Sequence, residues 1–507
     1  MSLVATRRVP VLFWVFLVAL IPMVGVAVAL AGPVAALVAI AATAVVVVMS
    51  MSLQHVLLLE LILSTMVAGL IEYFGHIGQA QWIPYLLGLL LGFRALVDRL
   101  GLTRRAPGVR GGDHVGPSLI SIAAATYLIT ILASSLINLP PFIQVVVGVK
   151  NYLFMWGILA AFLVARDTSA LANKVWAVLI FTAIAQLPVV LYQYLFVASK
   201  RSAAGGASGV AWDAIVGTFG GDPAGGGHSA AMALFVAIVL LALLIQWRDG
   251  RRSFGSLATI AALALPSVFL AEVKAIVIWL AIGSGVVFAR SIFSRPLVFV
   301  GGTVGMLGLL AALVFAYNTL YYGQGKELDL QSLYDKQVAY VFDTQKFNAE
   351  TREMGRVASI SYWWQQHTID DPGSFLIGHG IGSSRGSSTV AVGEVARRYS
   401  FYIDTSAVTT QLWDIGLLGA IAFAAVLLIG TIYGLRMARD KSLDLESRGN
   451  AETAGVGLLL ILLGLPYNRD AIDSAAVQFL MFFLLAQILI TMRRGGSKST
   501  PEPRYGR

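Results

Sequence analysis

The sequence of 507 residues contains no cysteine, and only 12% of its residues are charged. Without cysteine, the chain forms neither a disulfide framework nor a thiolate metal site. The sequence also has no Asp-x-Asp motif and no group of His, Asp or Glu with metal-ligand spacing, so we expect neither a metal nor another cofactor. Apolar residues are abundant instead, at 57% hydrophobic residues and a mean hydropathy of +0.78.

Apolar runs recur along almost the whole chain, from Val9 to Met492. A run of about 20 apolar residues crosses the hydrocarbon core of a bilayer, and only a helix satisfies its backbone polar groups. The sequence therefore predicts an all-α polytopic membrane protein with about fourteen transmembrane helices. The predicted spans are 9–29, 34–50, 56–74, 82–97, 117–137, 142–165, 175–196, 229–246, 256–271, 275–290, 297–317, 409–434, 453–466 and 475–491.

Basic residues predict the orientation of these spans. With the N-terminus in the cytoplasm, the clusters Arg99–Arg110, Arg248–Arg252, Arg290–Arg295, Arg436–Arg448 and Arg493–Lys498 all fall on the cytoplasmic side. Most of the net charge of +9 is then a topological signal. No nucleic-acid partner is expected.

Two long polar loops, 198–228 and 318–408, would then face outward. The first is rich in glycine. The second is a large extracytoplasmic loop of about ninety largely polar residues with partly helical spacing, and it is where we expect chemistry. We predict one transmembrane domain over 1–492, which includes both loops, and a disordered cytoplasmic tail over 493–507. No fixed-period repeat is present, which weighs against a transporter built from inverted repeats.

Arg352 and Arg356 stand four residues apart in the large loop and would share one face of a helix. Guanidinium groups match phosphate oxygens in a bidentate way and stay charged at any relevant pH, so the pair suits a diphosphate. Alternatively, both arginines pair with Glu350 and Glu353 on a solvated helix.

Three glycines follow in the stretch Phe375–Ser384, at Gly378, Gly380 and Gly382. Their spacing predicts a tight turn whose backbone N–H groups approach an anion. The turn does not follow a strand and open a helix, so a dinucleotide-binding site is excluded. His379 is a candidate base within this turn, or simply a turn residue.

In order and spacing, these segments resemble the O-antigen ligase and Wzy-type polysaccharide polymerase superfamily of membrane glycosyltransferases. The family pattern is an Arg-bearing amphipathic segment, a turn similar to Leu376–Ser384, and a stretch ending like Gly416–Gly419 where the next helix begins. Earlier, Leu191–Tyr194, which contains Gln193, and Val216–Gly220 look like the family's Gln-bearing helix end and outer loop.

The resemblance covers most of the chain and implies a multi-pass protein of the bacterial inner membrane with both termini in the cytoplasm. The implied donor is an undecaprenyl-diphosphate-linked oligosaccharide, bound at the outer face of the bilayer. A regulator of chain length is a further implied partner.

Two positions depart from the family pattern. The ligase branch typically has histidine where this chain has Thr405, and threonine does not act as a base near neutral pH. The adjacent Asp404 is the nearest substitute base, although a carboxylate before a helix is as often an N-cap. A Ser-Arg-Gly sequence of the family corresponds to Glu272-Val-Lys274 here, where Lys274 keeps the positive charge and Glu272 is its nearest possible partner.

Four further side chains are candidates for the site. Lys150 lies inside an apolar run, where it would contact a lipid diphosphate or pair with Glu60. His228 ends the Gly-rich loop at the start of a helix, where it would bind substrate or cap that helix. Trp363 and Trp364 would stack on sugar rings or anchor the loop at the membrane interface.

The predicted reaction breaks the bond between a sugar and its lipid diphosphate. Arg352, Arg356 and Lys274 would neutralise the charge of the leaving group without a metal. An acceptor hydroxyl would attack the anomeric carbon from the opposite face and invert it, with Asp404 or His379 as base. Polymerisation of repeat units is the preferred function. The alternatives are a ligase that transfers the glycan to a lipid or protein, and a lipid-linked sugar flippase or solute transporter.

Overall fold

The computed structural model describes a large part of the chain. The described residues are 43, 45–100, 118–200, 214–223, 227–289, 342–348, 352–367, 371–386 and 390–497, with single residues between 296 and 308. They belong to two compact units, Met1–Val56 and Leu57–Arg507. Only 43 and 45–56 of the first unit are described, and 45–50 are helical.

Within these ranges, eight helical stretches are long and apolar enough to cross a membrane, so the chain is a helical membrane protein. They are Leu53–Gly75, Gly78–Arg99, Leu119–Asn138, Phe142–Val164, Thr168–Ala198, Ser229–Arg248, Ala407–Met437 and Ala475–Arg493. The predicted number of fourteen is not confirmed. The predicted span 9–29 and most of 34–50 and 297–317 lie outside the described residues.

We number the described α-helices in chain order. They are α1 (Leu53–Ile62), α2 (Ala68–Gly75), α3 (Trp82–Arg99), α4 (Leu119–Asn138), α5 (Phe142–Val149), α6 (Trp156–Val164), α7 (Thr168–Tyr192), α8 (Ser229–Arg248), α9 (Phe254–Leu270), α10 (Ala275–Ala289), α11 (Arg356–Gln366), α12 (Pro372–Ile377), α13 (Ala407–Met437), α14 (Leu445–Gly464), α15 (Asp470–Asp473) and α16 (Ala475–Ser497). The last helix continues past residue 493, where we predicted a disordered tail, and 498–507 lie outside the description.

The helices differ in what they bury. Most residues of α8 and α16 are enclosed by other helices, as expected for segments that are apolar on every side. On α4, by contrast, Ile129, Leu132 and Leu136 are each more than half exposed. An apolar face of this kind is suited to contact with lipid.

Three π-helical turns interrupt the spans, at Leu63–Val67, Lys150–Phe154 and Gln193–Ala198. π-Helical turns are uncommon and are often found at functional sites. Two of them begin at residues that the sequence had singled out, Lys150 and Gln193.

The large loop is partly helical where it is described. A two-stranded antiparallel ribbon pairs β1 (Phe347–Asn348) with β2 (Glu353–Met354), and α11 and α12 follow. A buried cluster holds these elements against the start of α13. Its members are Trp363, Val395, Ile403, Leu412 and Trp413. Trp363 is therefore a core residue, whereas Trp364 is 59% exposed.

Candidate functional site

The glycine turn surrounds a carboxylate that belongs to the protein itself. Asp414 lies fully buried on α13, and its side chain accepts four hydrogen bonds. The donors are Gly382 N at 2.9 Å, Ser384 N at 2.8 Å, Ser383 Oγ at 3.0 Å and Tyr152 Oη at 3.0 Å. The sequence predicted that this turn approaches an anion, and the anion it holds is Asp414.

The same turn joins α13 where that helix is broken. Gly416 has φ of 69°, and the carbonyl groups just before it accept hydrogen bonds from His379 N and Gly380 N, each at 2.9 Å. A Cβ atom on Gly416 would lie 2.3 Å from the backbone of Leu376, so only glycine allows this approach. The N–H of Gly380 is shared between the carbonyl of Asp414 and Ser134 Oγ, and the predicted substrate contact of this residue stays a prediction.

The two arginines of the large loop do not share a helical face. The helix α11 begins at Arg356, whereas Arg352 precedes β2, has φ of 57° and is exposed. The carbonyl of Arg352 accepts a hydrogen bond from Tyr402 N at 2.9 Å, which ties this backbone to the chain before α13. The predicted helical pair is therefore wrong, because the β-ribbon delays the start of the helix.

Arg356 faces the segment that leads into α13. Its guanidinium donates a hydrogen bond to the carbonyl of Thr405 and lies over the ring of Tyr467, at 5.8 Å from the centroid. The Thr405 hydroxyl donates to Ser359 Oγ at 2.8 Å. Thr405 thus helps to fix the start of α11 against the site.

Asp404 is completely buried and forms an ion pair with Arg469. The guanidinium of Arg469 occupies one carboxylate oxygen, Oδ2. The other oxygen, Oδ1, has no hydrogen-bond partner among the described residues. Asp404 therefore has a structural partner, and its predicted role as base stays a prediction.

Arg469 continues this ion pair into a network. Its Nε lies 3.3 Å from Asp473 Oδ2, and the other oxygen of Asp473 pairs with Arg385. Burial alone would raise the pKa of Asp473, but the charges of Arg385 and Arg469 outweigh it, and the pKa is lowered. Burial alone would lower the pKa of Arg385, but the charge of Asp473 outweighs it, and the pKa is raised.

Lys150 approaches this network from within the membrane span. It is 9% exposed, and its Nζ lies over the rings of Tyr85 and Trp82, at 4.4 and 5.0 Å from the centroids. The charges of Arg385 and Asp473 act on it. The predicted pairing with Glu60 is not found, because both oxygens of that buried carboxyl group lack a hydrogen bond among the described residues.

His228 lies beside the network, just before α8. Its Nδ1 is 3.0 Å from Asp470 Oδ1, and its side chain is 24% exposed. Burial opposes the charged imidazolium, but the hydrogen bond and charge of Asp470, with the charges of Glu72 and Asp473, outweigh it. The pKa of His228 is therefore raised.

His379 lies elsewhere. Its Nε2 is 2.9 Å from Nε2 of His367. His367 directly follows the last residue of α11, and Arg356 is the first residue of that helix. The eleven residues of the helix separate the backbones of Arg356 and His367 by about 16 Å. Burial, and then the neighbouring His367, lower the pKa of His379 to about 4. His379 thus pairs with His367 at the opposite end of α11 from Arg356.

Gln193 holds a neighbouring loop through its side chain, and its predicted substrate contact stays a prediction. Its side-chain amide donates to the carbonyl of Gly217 at 3.0 Å and accepts from the N–H groups of Val216 and Gly217. Gln186 holds the next residue, Thr218, in the same way. The segment that resembled an outer loop of the family is thus fixed by two buried glutamines.

Lys274 and Glu272 lie in the short link between α9 and α10. Lys274 is exposed, and Glu272 has φ of 54°. Four residues after the start of α10, Trp279 contacts Tyr467, the residue whose ring lies under Arg356. This helix end is therefore next to the network.

The sequence analysis missed four charged residues of the site, Arg385, Arg469, Asp470 and Asp473. Three of them lie in the short polar segment between the predicted spans 453–466 and 475–491. Among the described residues, no three His, Asp or Glu side chains come together as metal ligands. The sequence matches no protein-family model and no curated protein.

Proposed function

We propose that the chain is a membrane glycosyltransferase that joins undecaprenyl-diphosphate-linked repeat units at the outer face of the bacterial inner membrane. The observation that carries this proposal is the cation network at one end of the helices. Its members are Lys150, Arg356, Arg385 and Arg469. The family resemblance supplies the donor, and both termini are expected in the cytoplasm.

The network supplies cationic donors that suit a diphosphate leaving group. Its four cations share this region with the carboxylates Asp404, Asp470 and Asp473. Arginine presents planar donors to phosphate oxygens, and such donors act most strongly where water is excluded. The proposal includes metal independence, since the arginines neutralise the charge that develops when the glycosidic C–O bond breaks.

Polymerisation is preferred over ligation because of Thr405. Its hydroxyl is engaged with Ser359, and no histidine stands at this position. In a ligase the glycan would move to a lipid or protein acceptor. In a polymerase the acceptor is a second lipid-linked glycan, and a regulator of chain length is a partner.

One observation favours transport as the second candidate. Glu60 is a fully buried carboxyl group inside a membrane span, and within the described residues its oxygens have no hydrogen bond. Ionisable groups at such positions often serve ion or proton pathways. A flippase or transporter would need more such groups along one path.

The test is to incubate the purified protein with lipid-linked oligosaccharides extracted from producer cells that lack it. A ladder of longer products that also forms in EDTA would support the polymerase. Transfer to a lipid A or protein acceptor without lengthening would indicate the ligase. Substrate that crosses liposome membranes but is never lengthened or transferred would contradict both enzyme functions.

A further inference from the structure

His228 and Asp470 form a hydrogen-bonded pair at the edge of the cation network. The imidazole Nδ1 and the carboxylate Oδ1 are 3.0 Å apart. The other carboxylate oxygen of Asp470 accepts a hydrogen bond from Asn468 Nδ2 at 2.6 Å, so the carboxylate is held from both sides. Asp470 is 6% exposed.

This arrangement decides where the neutral imidazole carries its proton. A carboxylate accepts hydrogen bonds and has no proton to give, so Nδ1 must be the donor. The lone pair is then on Nε2, which makes no hydrogen bond with any described residue. The His228 side chain is 24% exposed.

The surroundings of His228 favour proton uptake. Asp470 and Asp473 act on it from α15, and Glu72 acts on it from the end of α2. These charges outweigh burial and raise the pKa of His228, and a base is most effective when its pKa is near the working pH. The other two candidate bases are less suitable, because Asp404 is ion-paired and the pKa of His379 is lowered.

The His228–Asp470 pair also lies next to the arginines of the network. Asp470 follows Arg469 directly, and Arg469 holds both Asp404 and Asp473. The imidazole and the arginines that would hold the diphosphate are therefore positioned by the same short segment before α16.

We propose that His228 is the general base of the transfer and that Asp470 positions it. The inference rests on the proposed function. As the acceptor oxygen attacks the anomeric carbon, its proton moves to Nε2 of His228. The new C–O bond forms while the bond to the diphosphate breaks, and its electron pair leaves with the diphosphate oxygen. Asp470 stabilises the imidazolium and keeps Nε2 unprotonated beforehand.

The experiment compares His228→Gln, Asp470→Asn and the control His76→Asn in full-length protein. The donor is the lipid-linked oligosaccharide extracted from producer cells that lack the protein. We expect kcat to fall about 100-fold or more in His228→Gln and Asp470→Asn, with KM changed less than about threefold. In Asp470→Asn, the acid limb of the kcat/KM profile should move to lower pH, because the supporting carboxylate is lost. His76→Asn, at an exposed histidine, should behave as wild type.

A second measurement does not depend on turnover. The chain has six histidines, and ¹⁵N NMR of labelled protein, assigned with His228→Gln, reports the tautomer of His228. We expect protonated Nδ1 in the wild type and a different tautomer distribution in Asp470→Asn. Equal melting temperatures of the variants would show that they are folded.

Each failure has a distinct signature. Full kcat in His228→Gln, or an acid limb that does not move in Asp470→Asn, would overturn the role of His228 and Asp470. The proposed glycosyltransferase function would still stand. A wild-type protein that neither lengthens nor transfers the glycan would contradict the proposed function itself. It would also contradict the role of His228 and Asp470, which rests on that function.

Discussion

The carboxylate of Asp414 accepts a hydrogen bond from the backbone N–H of Gly382 at 2.9 Å, although the two residues lie in different parts of the chain. One is inside an apolar helix and the other is in a glycine turn of the large loop. The bond is one of four that satisfy this buried carboxylate. The loop is therefore anchored in the membrane domain by a carboxyl group that the helix itself supplies.

Asp414→Ala should release the turn. It leaves the N–H groups of Gly382 and Ser384 buried without their acceptor. Each such group lowers the free energy of unfolding by about 1–3 kcal/mol. We expect a loss of about 3 kcal/mol in the stability of the detergent-solubilised protein, seen as a clearly lower melting temperature. Leu418→Ala, at an exposed position on the same helix, should have little effect. Equal melting temperatures in both variants would contradict the anchoring role.

Arg356→Ala should remove product formation while the protein stays folded in the membrane. The guanidinium is one of the four cations of the network, and loss of such a contact to a diphosphate should lower kcat/KM by about 100-fold or more. Arg356→Lys should retain intermediate activity, because lysine keeps the charge but not the bidentate geometry. Arg398→Ala is the control, because Arg398 is 61% exposed and pairs with the exposed Glu394. A ladder of normal length in Arg356→Ala would remove this residue from the site.

Asp404 and Arg469 should be coupled in stability. Breaking a buried ion pair by removing one partner costs about 3–5 kcal/mol. We therefore expect Asp404→Asn combined with Arg469→Gln to cost clearly less than the sum of the two single changes. The exposed pair Glu394 and Arg398 should show coupling below about 1 kcal/mol. Additive effects at Asp404 and Arg469, measured by thermal unfolding, would argue against the ion pair.

The sequence predicted the spans well, because apolar length and backbone satisfaction are local properties. Eight predicted spans correspond to described membrane-length helices, from 56–74 to 475–491. Lys150, Arg356, Asp404 and His228 were singled out from the sequence, and their roles stay predictions. An ionisable group among apolar residues is a local signal that needs no knowledge of packing.

The remaining features depend on contacts between distant segments. Arg352 and Arg356 have helical spacing, but pairing of Glu353 with Asn348 keeps the chain extended until Gly355. Likewise, a glycine turn that suits a phosphate equally suits Asp414, and spacing alone does not distinguish them. Asp414 did carry one signal, since it is an acidic residue within an apolar helix, directly before Ile415 and Gly416.

Acid should destabilise the protein partly through His379. The folded protein keeps this imidazole neutral down to about pH 4, because its pKa is lowered by burial and by His367. In the unfolded chain it protonates near pH 6.5, so the unfolded state binds more protons between these values. The contribution is complete above about pH 6.5 and is lost as the pH falls towards 4, on the order of 2–3 kcal/mol.

The check is the melting temperature measured from pH 7.5 to 4. His379→Gln should show a flatter decline than the wild type, since its amide still donates to His367 but does not titrate in this range. His76→Asn should follow the wild-type curve. Parallel curves for wild type and His379→Gln would show that another group controls the acid limb.

Lys150→Met should weaken the binding of the lipid diphosphate more than it changes the fold. The ammonium group lies over Tyr85 and Trp82, where a flexible apolar side chain of similar length packs well on the aromatic rings. The lost charge, however, is one of four that face the leaving group. We expect the Kd for undecaprenyl diphosphate, measured with the unglycosylated lipid in detergent, to rise about 10-fold, with a melting temperature within a few degrees of wild type. Lys174→Met, at an exposed lysine on α7, should leave the Kd unchanged. Equal affinities for wild type and Lys150→Met would place Lys150 outside the diphosphate site and assign it to packing alone.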